Sequence, residues 1–104
     1  MKIRGFLVLI VAVAMALPMM AAGPDGAAIY KAKCAMCHGP DGAGQTAVGK
    51  SMKVRDLRSA DVQKQTAKEL EAVVTNGKGK MPSYKGKLSE AEISAVVELI
   101  KTMK

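Results

Sequence analysis

The chain has 104 residues, with 16 Lys plus Arg against 9 Asp plus Glu, one His, two Cys and no Trp. That composition suits one small basic domain and excludes a multidomain enzyme. Nucleic acid is not an expected partner, because the basic residues are scarcely interleaved with aromatic side chains.

The first element in chain order is a leader. Behind Lys2 and Arg4 runs an unbroken apolar stretch, FLVLIVAVAMAL, and small residues follow at Ala21 and Ala22. A basic start, a short apolar run and small residues are the layout of a secretory signal peptide. Pro18 closes the run well short of the roughly 20 residues that a membrane-spanning helix needs. The expectation is a signal peptide over 1–22 and a single domain over 23–104, with a retained anchor as the alternative. Met20 is a poor match near the cut, so the bond itself is not specified. Removal of Lys2 and Arg4 lowers the formal charge of +7 by two. The product is expected in the periplasm or an equivalent extracytoplasmic compartment, with at most peripheral contact to membrane.

The next stretch, GAAIYKAKC, reads as a helix capped by Asp25 and leading straight into Cys34. Residues 39–65 are rich in Gly and charge and only weakly periodic, so they read as a long loop with a short helix at most. A loop of that length belongs in a small domain only when it wraps a ligand. A second helix is expected over about 66–76, with Thr66 and Glu69 spaced as a capping box, a Leu70, Val73 and Val74 stripe, and Asn76 and Gly77 at its end. Gly79, Pro82 and Gly86 interrupt residues 78–88. A third helix opens at Ser89 and Glu92, another capping box, and sets Ile93, Val96, Val97, Ile100 and Met103 three or four residues apart. With no alternating apolar pattern long enough for a sheet, the expected fold class is all-α.

After the leader, Tyr30 and Tyr84 are the only aromatic residues. A core this short of filler supplies only about 3 to 5 kcal/mol, so a domain of this size commonly relies on a disulfide, a metal or a cofactor. The sequence Cys34-Ala35-Met36-Cys37-His38 points to the last. CAMCH has the spacing of c-type haem attachment. Residues three apart on a helical turn share a face, with about 5 to 6 Å between β-carbons, so two thiols can reach two vinyl groups of one porphyrin. The adjacent His38 then carries its imidazole beneath the same ring, where a ring nitrogen can bind iron. A disulfide or thiol-redox pair predicts other surroundings, since a thioredoxin-like motif sits among alternating strands and helices. Structural zinc usually wants four Cys or His ligands, and the chain has three such residues in all.

These features resemble the small class I c-type cytochromes over nearly all of residues 23–104. Gly26, Tyr30 and Cys34 match the family's Gly, aromatic and attachment Cys in its first helix, and the Ile- and Val-faced last helix matches the one that crosses it. NGKGKMPSY at 76–84 resembles the segment that presents the second axial ligand, a Met followed by Pro, and implies Met81. The residues alone leave Met52, Met81 and Met103 as thioethers beyond the leader and the attachment segment, and an open distal position also remains. The resemblance implies one haem c, held by Cys34 and Cys37 through thioethers and bound at iron by His38 and Met81, within about three to four helices. The chain departs from the family at the Pro whose carbonyl fixes the proximal imidazole: only Pro40 is near, so the acceptor for His38 is unnamed. Propionate contacts stay open among Arg55, Gln45 and Lys50.

Iron with both axial positions filled by protein has no open site for substrate, so the implied function is one-electron transfer between redox proteins, by a monomer and not an enzyme. Lys78, Lys80, Lys85 and Lys87 bracket Met81 and suit an acidic docking surface on a partner. The alternative is a haem-based enzyme or gas-binding sensor with a labile or open distal position.

Overall fold

The computed structural model describes residues 23–104, and the leader expected over 1–22 lies outside them. Six helical segments follow in order: α1 Gly26–Lys33, α2 Ala35–His38, α3 Ala47–Met52, α4 Ala60–Gln63, α5 Ala67–Asn76 and α6 Glu90–Ile100. Among the described residues no strand forms, only isolated bridges at Lys78–Met81 and Lys85–Leu88. The all-α expectation holds. The helix count exceeds the expected three to four because α2 and α4 are single turns of four residues each.

Helix starts coincide with side chains able to accept from free backbone N–H groups. The Asp25 carboxylate accepts from the amides of Ala27 and Ala28. Thr46, Ser59, Thr66 and Ser89 each accept from a backbone amide three residues on. At Ser89 the capping box is complete, with Glu92 accepting from the Ser89 amide at 2.9 Å. At Thr66 only half of it forms, because the Glu69 carboxylate accepts instead from the Thr66 hydroxyl at 3.1 Å. The segment 39–65 holds two short helices where at most one was expected. The Thr46 and Ser59 caps are the local signal for them.

The three longer helices form the framework: α6 packs on both α1 and α5, and α2 packs on α3. Val96 and Val97 at the centre of α6 are almost wholly buried. Tyr30, Leu57, Val62, Leu70, Val74, Leu88, Ile93 and Ile100 complete the core. At the α1–α6 crossing the backbones nearly touch. A β-carbon on Gly26 would collide with the Ala95 carbonyl oxygen and stand 2.8 Å from its carbon, so only glycine admits this approach. Helix α6 stops at Ile100, earlier than the stripe to Met103 suggested. Met103 follows in a turn, still packed on the core.

Candidate functional site

The attachment segment begins where α1 ends. The Cys34 amide donates to the Tyr30 carbonyl at 2.8 Å, then those of His38 and Gly39 donate to Cys34 and Ala35 at 3.0 and 2.8 Å, so CAMCH is wound as one helical turn. Thr46 holds that turn from outside, its hydroxyl donating at 2.7 Å to the Met36 carbonyl. Close packing of α3 does the rest: a β-carbon on Gly49 would run into the Cys37 carbonyl oxygen. Cys34 and Cys37 are both half-buried free thiols. Burial, aided by the Cys37 thiol, pushes Cys34 up to about 11, which keeps it protonated at neutral pH.

His38 is oriented by a backbone acceptor 17 residues downstream. Its Nδ1 lies 3.2 Å from the Arg55 carbonyl oxygen. A carbonyl only accepts, so Nδ1 carries the hydrogen and Nε2 keeps its lone pair for a metal. Burial lowers the His38 pKa, against the opposing effect of that hydrogen bond, and so favours the neutral imidazole that metal binding requires. Arg55 is held there by its own stretch of chain. Lys53 takes the left-handed conformation that ends α3, at φ 53°, and the Val54 amide returns to the Gly49 carbonyl at 3.0 Å. The sequence carries no signal for this acceptor, since every residue's carbonyl is chemically alike.

Cys34, His38 and Met81 converge on one cavity of about 410 Å³. Cys37 adjoins on the attachment turn without lining it. The walls are apolar, formed by Leu57, Val62, Leu70, Val73, Val74, Val96 and Ile100. This volume exceeds any packing defect a native core tolerates and falls in the range of cofactor and ligand sites. Of the three candidate thioethers, Met52 and Met81 line the cavity and Met103 does not. Met103 lies instead against Gly42, where a β-carbon would stand 2.7 Å from its sulfur.

Met81 is presented by an ordered loop. The Lys78 and Met81 backbones exchange hydrogen bonds of 3.2 and 3.0 Å, the Tyr84 and Lys85 amides donate to Val74 and Thr75 at 3.1 Å each, and the Ser83 hydroxyl donates to Thr75 at 2.7 Å. Lys53, Arg55, Lys78 and Lys80 are exposed and also line the cavity, which puts a cationic rim at its mouth. Lys85 and Lys87 are exposed but do not line it. Gln45 and Lys50 do not reach it either, and among the three propionate candidates Arg55 alone does.

The donor set fits a covalently held haem: two reduced thiols on one turn, a neutral imidazole with its second nitrogen already engaged, a thioether in the same cavity, and apolar walls. Sequence reasoning missed three contributors, namely the Arg55 carbonyl, the Thr46 hydroxyl and the Tyr84 phenol, which donates to the Lys33 carbonyl beside Cys34 at 3.0 Å.

Comparison with known proteins places the chain among c-type cytochromes. The family described as "Cytochrome C oxidase, cbb3-type, subunit III" matches residues 21–100. Cytochrome c6 from Leptolyngbya boryana is 41% identical over 71 residues, covering 68% of this chain and 80% of that protein. Cytochrome c6 from Anabaena variabilis is 39% identical over 79 residues, covering 73% and 85%. Among solved structures, the KustC0563 c-type cytochrome superposes with a TM-score of 0.71 at 29% identity, over 77% of this chain and 98% of that one. Cytochrome c6C from Synechococcus sp. PCC 7002 gives 0.59 at 32% identity, over 74% and 90%.

Proposed function

The chain belongs to the small class I c-type cytochromes, and on that premise we propose that Cys34 and Cys37 attach its haem while His38 and Met81 bind the iron. It is an electron carrier with one covalently bound haem c. When bound, that group supplies a one-electron couple between ferric and ferrous iron.

The observation that carries the site assignment is that Cys34, His38 and Met81 together line one apolar-walled cavity. Each residue has a separable task. The two thiols anchor the group to a turn whose backbone is fixed on both sides. His38 offers Nε2 in an orientation set by the Arg55 carbonyl. Met81 offers a thioether, which carries no proton to gain or lose, from a loop tied to α5. The Leu and Val walls exclude water and disfavour the extra positive charge of the ferric state, which raises the potential. With His38 and Met81 both holding the group, little of this chain would need to move when an electron arrives or leaves.

No enzymatic activity is assigned. The one His in the chain would be taken up in holding the iron, which would leave no other imidazole to serve as an acid or base. The carrier meets redox partner proteins. Its rim of Lys53, Arg55, Lys78 and Lys80 suits a partner with an acidic docking surface, engaged by a monomer. Export to an extracytoplasmic compartment is supported by Lys2, Arg4 and the apolar run before Pro18. Among the described residues no helix is long and apolar enough to cross a membrane. Voltammetry of the holoprotein tests the carrier function. One reversible one-electron wave, with ferrous protein that does not bind carbon monoxide, is the expected result; rapid carbon monoxide binding would favour the sensor or enzyme reading.

A further inference from the structure

The two aromatic side chains among the described residues reach opposite ends of the attachment segment. Tyr30 donates its hydroxyl to the Gly39 carbonyl at 2.7 Å, immediately after His38. Tyr84 donates to the Lys33 carbonyl at 3.0 Å, immediately before Cys34 and 51 residues away in the chain. Tyr84 stands three residues beyond Met81, and its backbone is fixed independently: its amide donates to Val74, and its carbonyl accepts from Lys87 and Leu88 at 2.9 and 3.0 Å. Among the described residues, all other hydrogen bonds that leave the 78–88 loop run toward α5, so the Tyr84 phenol is the one that joins this loop to residues 26–38.

We propose that Tyr84 is a positioning residue for the distal ligand: its phenol latches the loop of Met81 onto the Lys33 carbonyl and thereby sets how readily Met81 leaves the iron. The inference rests on Met81 as the ligand. A loop tied only to α5 is free to swing away from the attachment segment, and the latch opposes motion in that direction. The Tyr84 ring packs against the core, so Tyr84→Phe keeps its packing and removes only the hydroxyl. Lys33 is exposed, so water replaces the lost donor and no buried acceptor is orphaned. An exogenous ligand reaches ferric iron only when Met81 has left, so its observed affinity follows the open fraction of the loop. Loss of one hydrogen bond raises that fraction about two- to tenfold.

The test is imidazole titration of the ferric holoprotein, followed through the Met-to-iron charge-transfer band well below the unfolding temperature. Wild type, Tyr84→Phe, Tyr30→Phe and Met81→Ala are compared. Tyr84→Phe is expected to bind imidazole about two- to tenfold more tightly at unchanged haem content, and Tyr30→Phe, on the proximal side, to bind as wild type does. Wild-type affinity in Tyr84→Phe, even with a lowered unfolding temperature, overturns the latch. An equal rise in Tyr30→Phe overturns it too, since general loosening then explains both. If Met81→Ala loses the band while Tyr84→Phe matches wild type, the latch alone is wrong; a band that survives Met81→Ala overturns the ligand assignment and the latch together.

Discussion

Replacing Gly26 by alanine sets helix propensity against packing, and the structure decides the sign. In an open helix the change would add about 0.5 to 1 kcal/mol of stability, and less at the first helical position, where Gly26 sits. Here the new methyl would meet the Ala95 carbonyl group, with the carbon at 2.8 Å and the Val96 amide nitrogen at 3.3 Å. Those are backbone atoms at the most buried part of α6, so no side-chain rotation can relieve the contact and the α1–α6 crossing must widen. Overpacking of this kind costs about 1 to 3 kcal/mol, and a rigid backbone partner places the net loss near 2 kcal/mol. At about 4 to 8 °C per kcal/mol for a domain of this size, the unfolding temperature should fall by about 8 to 16 °C. Thermal unfolding of the holoprotein by circular dichroism measures it. Gly23→Ala, with nothing within 4 Å of its β-carbon, is the control expected to leave the transition in place. An unchanged or raised transition in Gly26→Ala would refute the close crossing.

Two further outcomes follow from the site. Cys37→Ala leaves at most one thioether, so the yield of covalent holoprotein should drop sharply when measured by haem stain after denaturing electrophoresis; an undiminished yield would remove Cys37 from the attachment. Burial above all, with a smaller contribution from Asp41, pushes the Tyr30 phenol above its usual range, and this persists once Cys34 is a thioether without charge, whereas in the unfolded chain it ionises near 10. The unfolded state therefore releases this proton first as pH rises. The stability that depends on neutral Tyr30 is complete below pH 10 and is lost progressively as pH rises through the higher folded value. Urea unfolding of wild type and Tyr30→Phe across that range should converge as pH rises, and parallel curves would contradict the shift.

What was legible in the sequence was what lies close together in it. CAMCH is a local motif, its function is set by spacing within one turn, and the structure winds it as one turn. The longer helices were readable because each combines a cap with an apolar stripe, as at Ser89, Ile93 and Val96. Helices α3 and α4 were not, because a helix of four to six residues has too few positions to show a period, and only Thr46 and Ser59 mark their starts. The choice between Met52 and Met103 as competitors of Met81 depended on how separate segments fold over one another. The structure eliminates Met103 from the cavity and admits Met52. Least legible was the acceptor for His38, where the functional atom is a backbone oxygen placed by the left-handed turn at Lys53, so the identity of Arg55 contributes nothing to it.

The central claim is that His38 and Met81 share one haem iron, and the oxidised and reduced optical spectra of wild type and Met81→Ala, produced in a host that attaches c-type haem, test it most directly. The account predicts a sharp reduced α-band and a ferric Met-to-iron band in the far red for wild type. It predicts covalent haem without that ferric band for Met81→Ala. Persistence of the band in Met81→Ala would move the distal ligand to another thioether, with Met52 the one that lines the cavity, and a wild-type protein that takes up no haem would contradict the account as a whole.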